Sequence, residues 1–581
     1  MLTKLFAPYK LGLRLGGGAA VMAAALGACT SVDTQLAVEK PAAIGATMAG
    51  NYLAGRHAQT TRDMAAATNF YDAALKVSPS IPGLLRRTFV LMVVEGRIEE
   101  AAPLARKITA INPDDVIANL VLVVHDIRSE RYAEADERLD GMPENGINTY
   151  MIPLFRAWTR IGLGQGAGPA LEALSPLSEK DGSKALYSLH AALLNDAAGR
   201  PKEAEKHYLE AIENQGGMSF RLVELLGAHY ERSGLKDKAK EIYQKYLEAH
   251  PGTSLLNPSM ARLEAGDIPG LEVATPIDGA AEGLFGMSSS LSQQNARETA
   301  LVFGRMALFL KPDFPVMQVM VGEILEAETR LESANGIYTA IDVASPFSWA
   351  ARLNTAFNLN KLEKTEEAVA LLKVMAEANP AKPDPLINLG DILRGHERFA
   401  EAVETYDKAI ARIPELTTRH WSLLYSRGIA LEQSKQWDRA EADFLKALEF
   451  QPDQPYVLNY LGYSWVDQGK NLDRAKKMIE KAVELRPNDG YIVDSLGWVL
   501  YRLGEFEESV PQMERATLLR PEDPVINDHL GDAYWRVGRR YEARFQWNRA
   551  LSFDPGPDIK AEIETKIKSG LKAQAKPGTD G

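Results

Sequence analysis

Cys29 is the one thiol in a chain of 581 residues. A lone thiol excludes an intramolecular disulfide and any zinc or iron–sulfur site built from several cysteines. What it offers is a single nucleophilic sulfur that can form a thioether. It closes the run Leu26-Gly27-Ala28-Cys29. Upstream lie Lys4, Lys10 and Arg14 with no acid, then residues 15–28, which are only Leu, Gly, Ala, Val and Met. A basic stretch, a short apolar stretch and small residues are the pattern of an export signal. The apolar run falls short of the roughly 20 residues that a spanning helix needs. Residues 1–28 are therefore expected to be a signal peptide.

Other candidate chemistry is sparse. The nine histidines are scattered, with no two at metal-ligand spacing, and no GxSxG, HExxH or P-loop is present. Gly162-Leu163-Gly164-Gln165-Gly166 is glycine-rich, but no strand precedes it, as a dinucleotide-binding turn requires, and it reads as a loop between helices. Catalysis, a cofactor and a metal are not expected. A net charge of −12 argues against nucleic acid and against electrostatic docking on anionic lipid. Removing the signal takes away three cations and leaves −15.

Leu26 to Cys29 resembles the lipobox of bacterial lipoproteins. That resemblance implies diacylglycerol on the Cys29 sulfur, cleavage before Cys29 and acylation of the new amino terminus. Several acyl chains on one residue meet the requirement for stable anchoring. Thr30, where aspartate would retain a lipoprotein in the inner membrane, implies sorting to the outer membrane with the protein facing the periplasm. Residues 29–47 then form the lipidated cysteine and its tether.

The rest of the chain is one unit repeated. Pro113 follows Pro79 by 34 positions, and the same step separates Pro312, Pro346, Pro380 and Pro414, and again Pro487, Pro521 and Pro555. A small residue stands 12 positions before most of these prolines, as at Ala67, Ala101, Ala402, Ser509 and Ala543. Glycine often stands 12 positions further upstream, as at Gly55, Gly322, Gly390, Gly428, Gly497 and Gly531. Each unit reads as two helices with apolar positions at period 3.6. Glycine and alanine let the two helices approach, an aromatic fills the gap, and proline ends the second helix. Tyr71, Tyr208, Tyr243, Tyr338, Tyr406, Phe444 and Trp547 occupy that aromatic position. Gly96, Gly395, Gly504 and Gly538 are expected near the turn between helices.

These residues resemble the tetratricopeptide repeat over roughly residues 48–557. The resemblance implies an all-α superhelical solenoid of about fourteen helix hairpins. The third to fifth units are degenerate, and one extra residue near Asn471 lengthens a turn. The register divides the chain into an N-terminal sub-array (48–253), a linker rich in proline and glycine (254–280) and a C-terminal sub-array (281–557). A capping helix (558–571) follows, with Ile559, Ile563, Ile567 and Leu571 every four residues, and then a tail (572–581) expected to be disordered.

In the first helix of each unit, positions 4, 7, 8 and 11 form the buried stripe, and positions 2, 5, 9, 12 and 13 form a second face. In the family that second face lines a concave protein-binding groove. In the last three units it includes Asn459, Tyr463, Asp494, Trp498, Tyr501, Arg502, Asp528, Asp532, Trp535 and Arg536. Aromatics and arginine are enriched in binding hot spots. The carboxylate clamp of chaperone-binding repeats is not found. Residues 420–557, with Leu496-Gly497-Trp498, Tyr501 and Leu530-Gly531, are similar to repeat lipoproteins that serve as adaptors of periplasmic carboxyl-terminal processing proteases. That resemblance implies a lipid-anchored scaffold for periplasmic proteins or peptides. The alternative is an assembly factor or pilotin for a pilus, secretin or outer-membrane machine.

Overall fold

The computed structural model describes residues 44–572, residue 181 excepted. The signal segment, Cys29 and residues 573–581 lie outside the described residues. Every regular element among the described residues is helical, and the helices follow one another as fourteen pairs from Met48–Thr60 with Met64–Val77 to Pro524–Arg536 with Arg540–Ser552. The helix Pro557–Ser569 comes last. Among the described residues, no helix is long and apolar enough to cross a membrane.

The pairing has a local cause. A Cβ on Gly227 would lie 2.2 Å from the Tyr243 ring, and one on Gly390 would lie 2.5 Å from Tyr406. Gly322 with Tyr338, Gly428 with Phe444 and Gly531 with Trp547 repeat that contact. The aromatic follows its glycine by 16 positions in each of these pairs. The side chains at that aromatic position, Tyr71 and Tyr208 included, are fully buried. Protein interiors are close-packed, so a ring seated on bare backbone leaves no room for a side chain there. In the unit with the extra residue the spacing grows by one position. Gly462 meets Ile479, and Asn471 takes a left-handed φ of 48° to absorb the insertion.

The turn between paired helices recurs with the period of the prolines. Arg62, Gly96, Glu130 and Gly164 all have positive φ there. Gly504 and Gly538 hold this position, and Gly395 lies near the turn as expected but two residues before it. It ends the helix Asp384–Gly395, and Glu397 takes the left-handed conformation, with φ of 60°. The turn geometry imposes the conformation, and a non-glycine residue accepts the strain of about 1–2 kcal/mol. In the degenerate units the second helices Tyr132–Asp140 and Ala167–Leu174 are short, at 9 and 8 residues.

The chain divides into two compact units, one ending at Lys364 and the other beginning at Thr365. The division expected at residues 254–280 does not fall there. That segment contains the helix Asn257–Ala265, and Pro276 opens the helix Pro276–Gln293 through a Thr275/Asp278 capping box. Gly279 and Gly283 bring this helix against Trp158 and Leu154, where a Cβ would lie 2.0 and 2.1 Å away. Arg221 pairs with the buried Glu282 at 2.8 Å. Farther on, Arg305 donates to the Val94 carbonyl at 3.0 Å, and Arg330 is paired with Glu95. Gly279, which looks like a linker residue in sequence, is a contact residue, because its spacing of four from Gly283 puts both on one helix face.

Candidate functional site

In the unit that begins at Thr365, the last three repeats place their first helices at Pro455–Asp467, Gly490–Leu503 and Pro524–Arg536. Asp489 and Asp523 cap the latter two through backbone N–H groups, at 3.1 Å to Tyr491 and 2.9 Å to Val525. These helices carry the ten residues expected to line an open groove. The structure corrects that expectation. Asn459 and Asp494 are 0% exposed, Asp528 and Asp532 4%, and Tyr463 and Tyr501 are buried as well. Only Trp498, Arg502, Trp535 and Arg536 keep part of their surface.

Most of them form one internal network. Asp494 accepts a hydrogen bond from His529 Nδ1 at 2.9 Å. Trp498 stacks on His529 with ring centres 4.1 Å apart and on Tyr501 at 5.0 Å. Arg536 donates to the Tyr501 hydroxyl at 3.1 Å and to the Lys572 carbonyl at 2.9 Å. Asp532 accepts from Trp547 Nε1 at 2.9 Å. Arg502 stands apart and pairs with Asp467 at 3.1 Å. Neither amide atom of Asn459 finds a hydrogen-bond partner among the described residues, and neither do Asp494 Oδ1, Asp528 Oδ1 and Trp498 Nε1.

Over Asp528, Asp532 and Trp535 the cover comes from Pro557–Ser569 and Gly570. Lys566, 7% exposed, drives its ammonium between Asp528 and Asp532, 2.8 and 2.9 Å away. Gly570 rests on Trp535, where a Cβ would meet the indole at 2.0 Å. Burial first, and the neighbouring Asp532 second, push the Asp528 carboxyl up to about 7. Burial also raises Asp532. Burial disfavours the His529 cation, but Asp494, Asp528 and Asp532 together raise the imidazole's pKa. Lys566 was not legible as part of this site. Its spacing of four from Glu562 reads as an ordinary exposed helix pair, and nothing local says that two carboxylates wait opposite.

In the unit ending at Lys364, the same second face is buried at Leu120, Val124, Phe155 and Thr159 but open in the first two repeats. A cleft of about 580 Å³ is lined by Gln59, Pro82, Gly83, Arg86, Arg87, Val90 and Leu91. Gln59 is position 12 of the first repeat, and Gly83, Arg86 and Val90 are positions 2, 5 and 9 of the second. The register rule that singled out the C-terminal residues applies to these as well. Pro82, Gly83, Arg86, Arg87 and Val90 are exposed. Arg86 is paired with Asp115, the residue that caps the helix Val116–Arg128. Arg87 reaches the hydroxyls of Tyr52 and Tyr71, each at 3.4 Å.

Family profiles described as the tetratricopeptide repeat match residues 170–253, 387–455, 467–489 and 495–557. Over these segments the chain carries tetratricopeptide repeats. Among solved structures it is similar to the Cut9 and Hcn1 assembly of the APC/C, with 14% identity, coverage of 90% of this chain and 96% of that one, and a TM-score of 0.37. It is similar to a tetratricopeptide-repeat protein from Parabacteroides merdae, with 17% identity, coverage of 43% and 96%, and a TM-score of 0.35. It is also similar to YrrB, a repeat protein described as having an unusual peptide-binding site, with 21% identity, coverage of 33% and 97%, and a TM-score of 0.27. No curated protein matches the chain. Among the described residues, no group of histidine, cysteine, aspartate and glutamate is placed to hold a metal ion.

Proposed function

We propose that the protein is a lipid-anchored scaffold on the periplasmic face of the outer membrane, where its repeats hold periplasmic proteins or peptides. The observation that carries the scaffold reading is the fourteen successive helix pairs of an interaction repeat, with an open cleft on the face that such repeats use for ligands. The anchor rests on sequence, on Leu26-Gly27-Ala28-Cys29 behind a basic and apolar leader. Delivery of clients to a carboxyl-terminal processing protease is the role that the similarity of residues 420–557 favours.

Two measurements test this reading. Metabolic labelling with a clickable fatty acid marks the wild type and not Cys29→Ser, which accumulates as an unprocessed or mislocalised precursor. Equal labelling of both removes the anchor. Cross-linking in cells followed by identification of the captured partner returns a processing protease or its clients. Recovery of a secretin or pilus subunit instead replaces the adaptor role with assembly.

A further inference from the structure

The first helices of repeats one and two, Met48–Thr60 and Pro82–Val94, carry Arg56, Arg86 and Arg87 and no aspartate or glutamate. In a chain of net charge −12 this is a local reversal of sign, and it coincides with the 580 Å³ cleft. That volume lies within the roughly 300–1,000 Å³ range of ligand sites. Resting on the scaffold reading, we propose that the cleft binds a peptide segment that presents a carboxylate to Arg86 and Arg87 and an apolar side chain to Pro82, Val90 and Leu91.

The two guanidinium groups are oriented before any ligand arrives. Asp115 holds Arg86 from one side, yet the side chain stays 56% exposed and keeps N–H donors to offer, since a guanidinium has five. Arg87 lies with its guanidinium carbon 5.5 Å from the centre of the Tyr71 ring. Arginine's planar fork matches a carboxylate with two parallel hydrogen bonds, and fixing the fork in advance reduces the entropy lost on binding. Gln59 supplies a neutral amide at the rim, with its Oε1 already accepting from the Tyr71 hydroxyl at 3.2 Å. Gly83 has nothing within 4 Å of where its Cβ would stand, so a side chain added there enters open space at the cleft. The occupant's carboxylate can come from an acidic side chain or from a chain terminus, and the two sources have the same chemistry.

The test uses the full chain and a fluorescein-labelled decapeptide of leucine, glutamate and glycine with a free carboxyl terminus, read by fluorescence anisotropy. Two companion peptides replace every glutamate by glutamine or amidate the terminus. A loss of about tenfold in affinity for either companion supports the proposal and names the source of the carboxylate. Equal binding of all three peptides overturns it. Arg86→Gln also disturbs the Asp115 cap, so the deciding variant is Gly83→Leu, which fills open space. It is expected to keep the wild-type melting temperature and lose peptide binding by at least tenfold. Unchanged binding by Gly83→Leu, or no binding by wild type, overturns the cleft. Partner capture by the same wild-type preparation keeps the scaffold reading standing in that event, whereas its failure removes the scaffold reading itself.

Discussion

Arg86 and Asp528 occupy the same position of the same repeat, the fifth residue of the first helix, and meet opposite fates. The Arg86 side chain is 56% exposed beside an open cleft, and the Asp528 side chain is 6% exposed beneath a lysine. Val90 and Asp532, four residues on, show the same contrast. Register therefore assigns a residue to a face, while the helix that follows the pair decides whether that face is open. After the pair that holds Asp528 and Asp532 comes Pro557–Ser569, which brings Lys566. After the pair that holds Arg86 comes Val116–Arg128, which contributes Asp115 at its cap and leaves the cleft empty.

The strongest way to break the contrast is to remove the seal. Lys566→Met leaves Asp528 and Asp532 facing each other without a cation. Losing one partner of a buried ion pair typically costs about 3–5 kcal/mol. The loss should be confined to the last repeats, because each repeat of such an array depends on its neighbours alone. Hydrogen exchange is expected to speed up over residues 490–569 and stay unchanged over residues 48–111. Wild-type protection in the C-terminal repeats would show that the lysine is dispensable and that burial there has another cause.

A pH series sharpens the same point. The Asp528 carboxyl titrates near 7 in the folded chain against an ordinary value of 3.8, so the folded state binds this proton more tightly than the unfolded state. Its stabilising contribution is full below about pH 4 and is lost as pH rises through about 7. The raised pKa of His529 acts in the same direction, with its share present below 6.5 and lost above its raised value. Stability of the C-terminal repeats should therefore decline as pH rises from about 4 to 8. Asp528→Asn should flatten that decline, as measured by melting temperature in buffers of constant ionic strength. An equal slope in both proteins would mean that Asp528 is not the titrating group.

A pair of leucine substitutions gives the smallest effects. Gly531→Leu pushes a side chain into Trp547, 2.4 Å away, and overpacking typically costs about 1–3 kcal/mol. Gly83→Leu enters open space and should stay within about 0.5 kcal/mol of wild type. Equal melting temperatures in both variants would erase the difference between a packed glycine and an open one.

Much of this architecture was legible in the sequence because it depends on short-range rules. The regular step between prolines, the glycine set a fixed distance before an aromatic and the extra residue near Asn471 each state a contact inside one helix pair. They held at Gly390 with Tyr406 and, shifted by one residue, at Gly462 with Ile479. The turn at Glu397 was not legible, because a left-handed glutamate has no compositional mark. The apparent linker at residues 254–280 misled for a related reason. Gly279 looks like a breaker in the chain, but it makes room for Trp158, more than a hundred residues earlier.

By itself, then, the sequence determined the repeat, its period, the residues that lock each pair and the face to which every other residue belongs. Those features follow from backbone periodicity and side-chain volume within a single repeat. Only the tertiary structure decided which part of the second face is sealed and which is open. That outcome depends on distant partners, Lys566 for the aspartates and Asp115 for Arg86. A buried charge persists only where a specific opposite charge is delivered to it, and no local pattern of residues records that delivery.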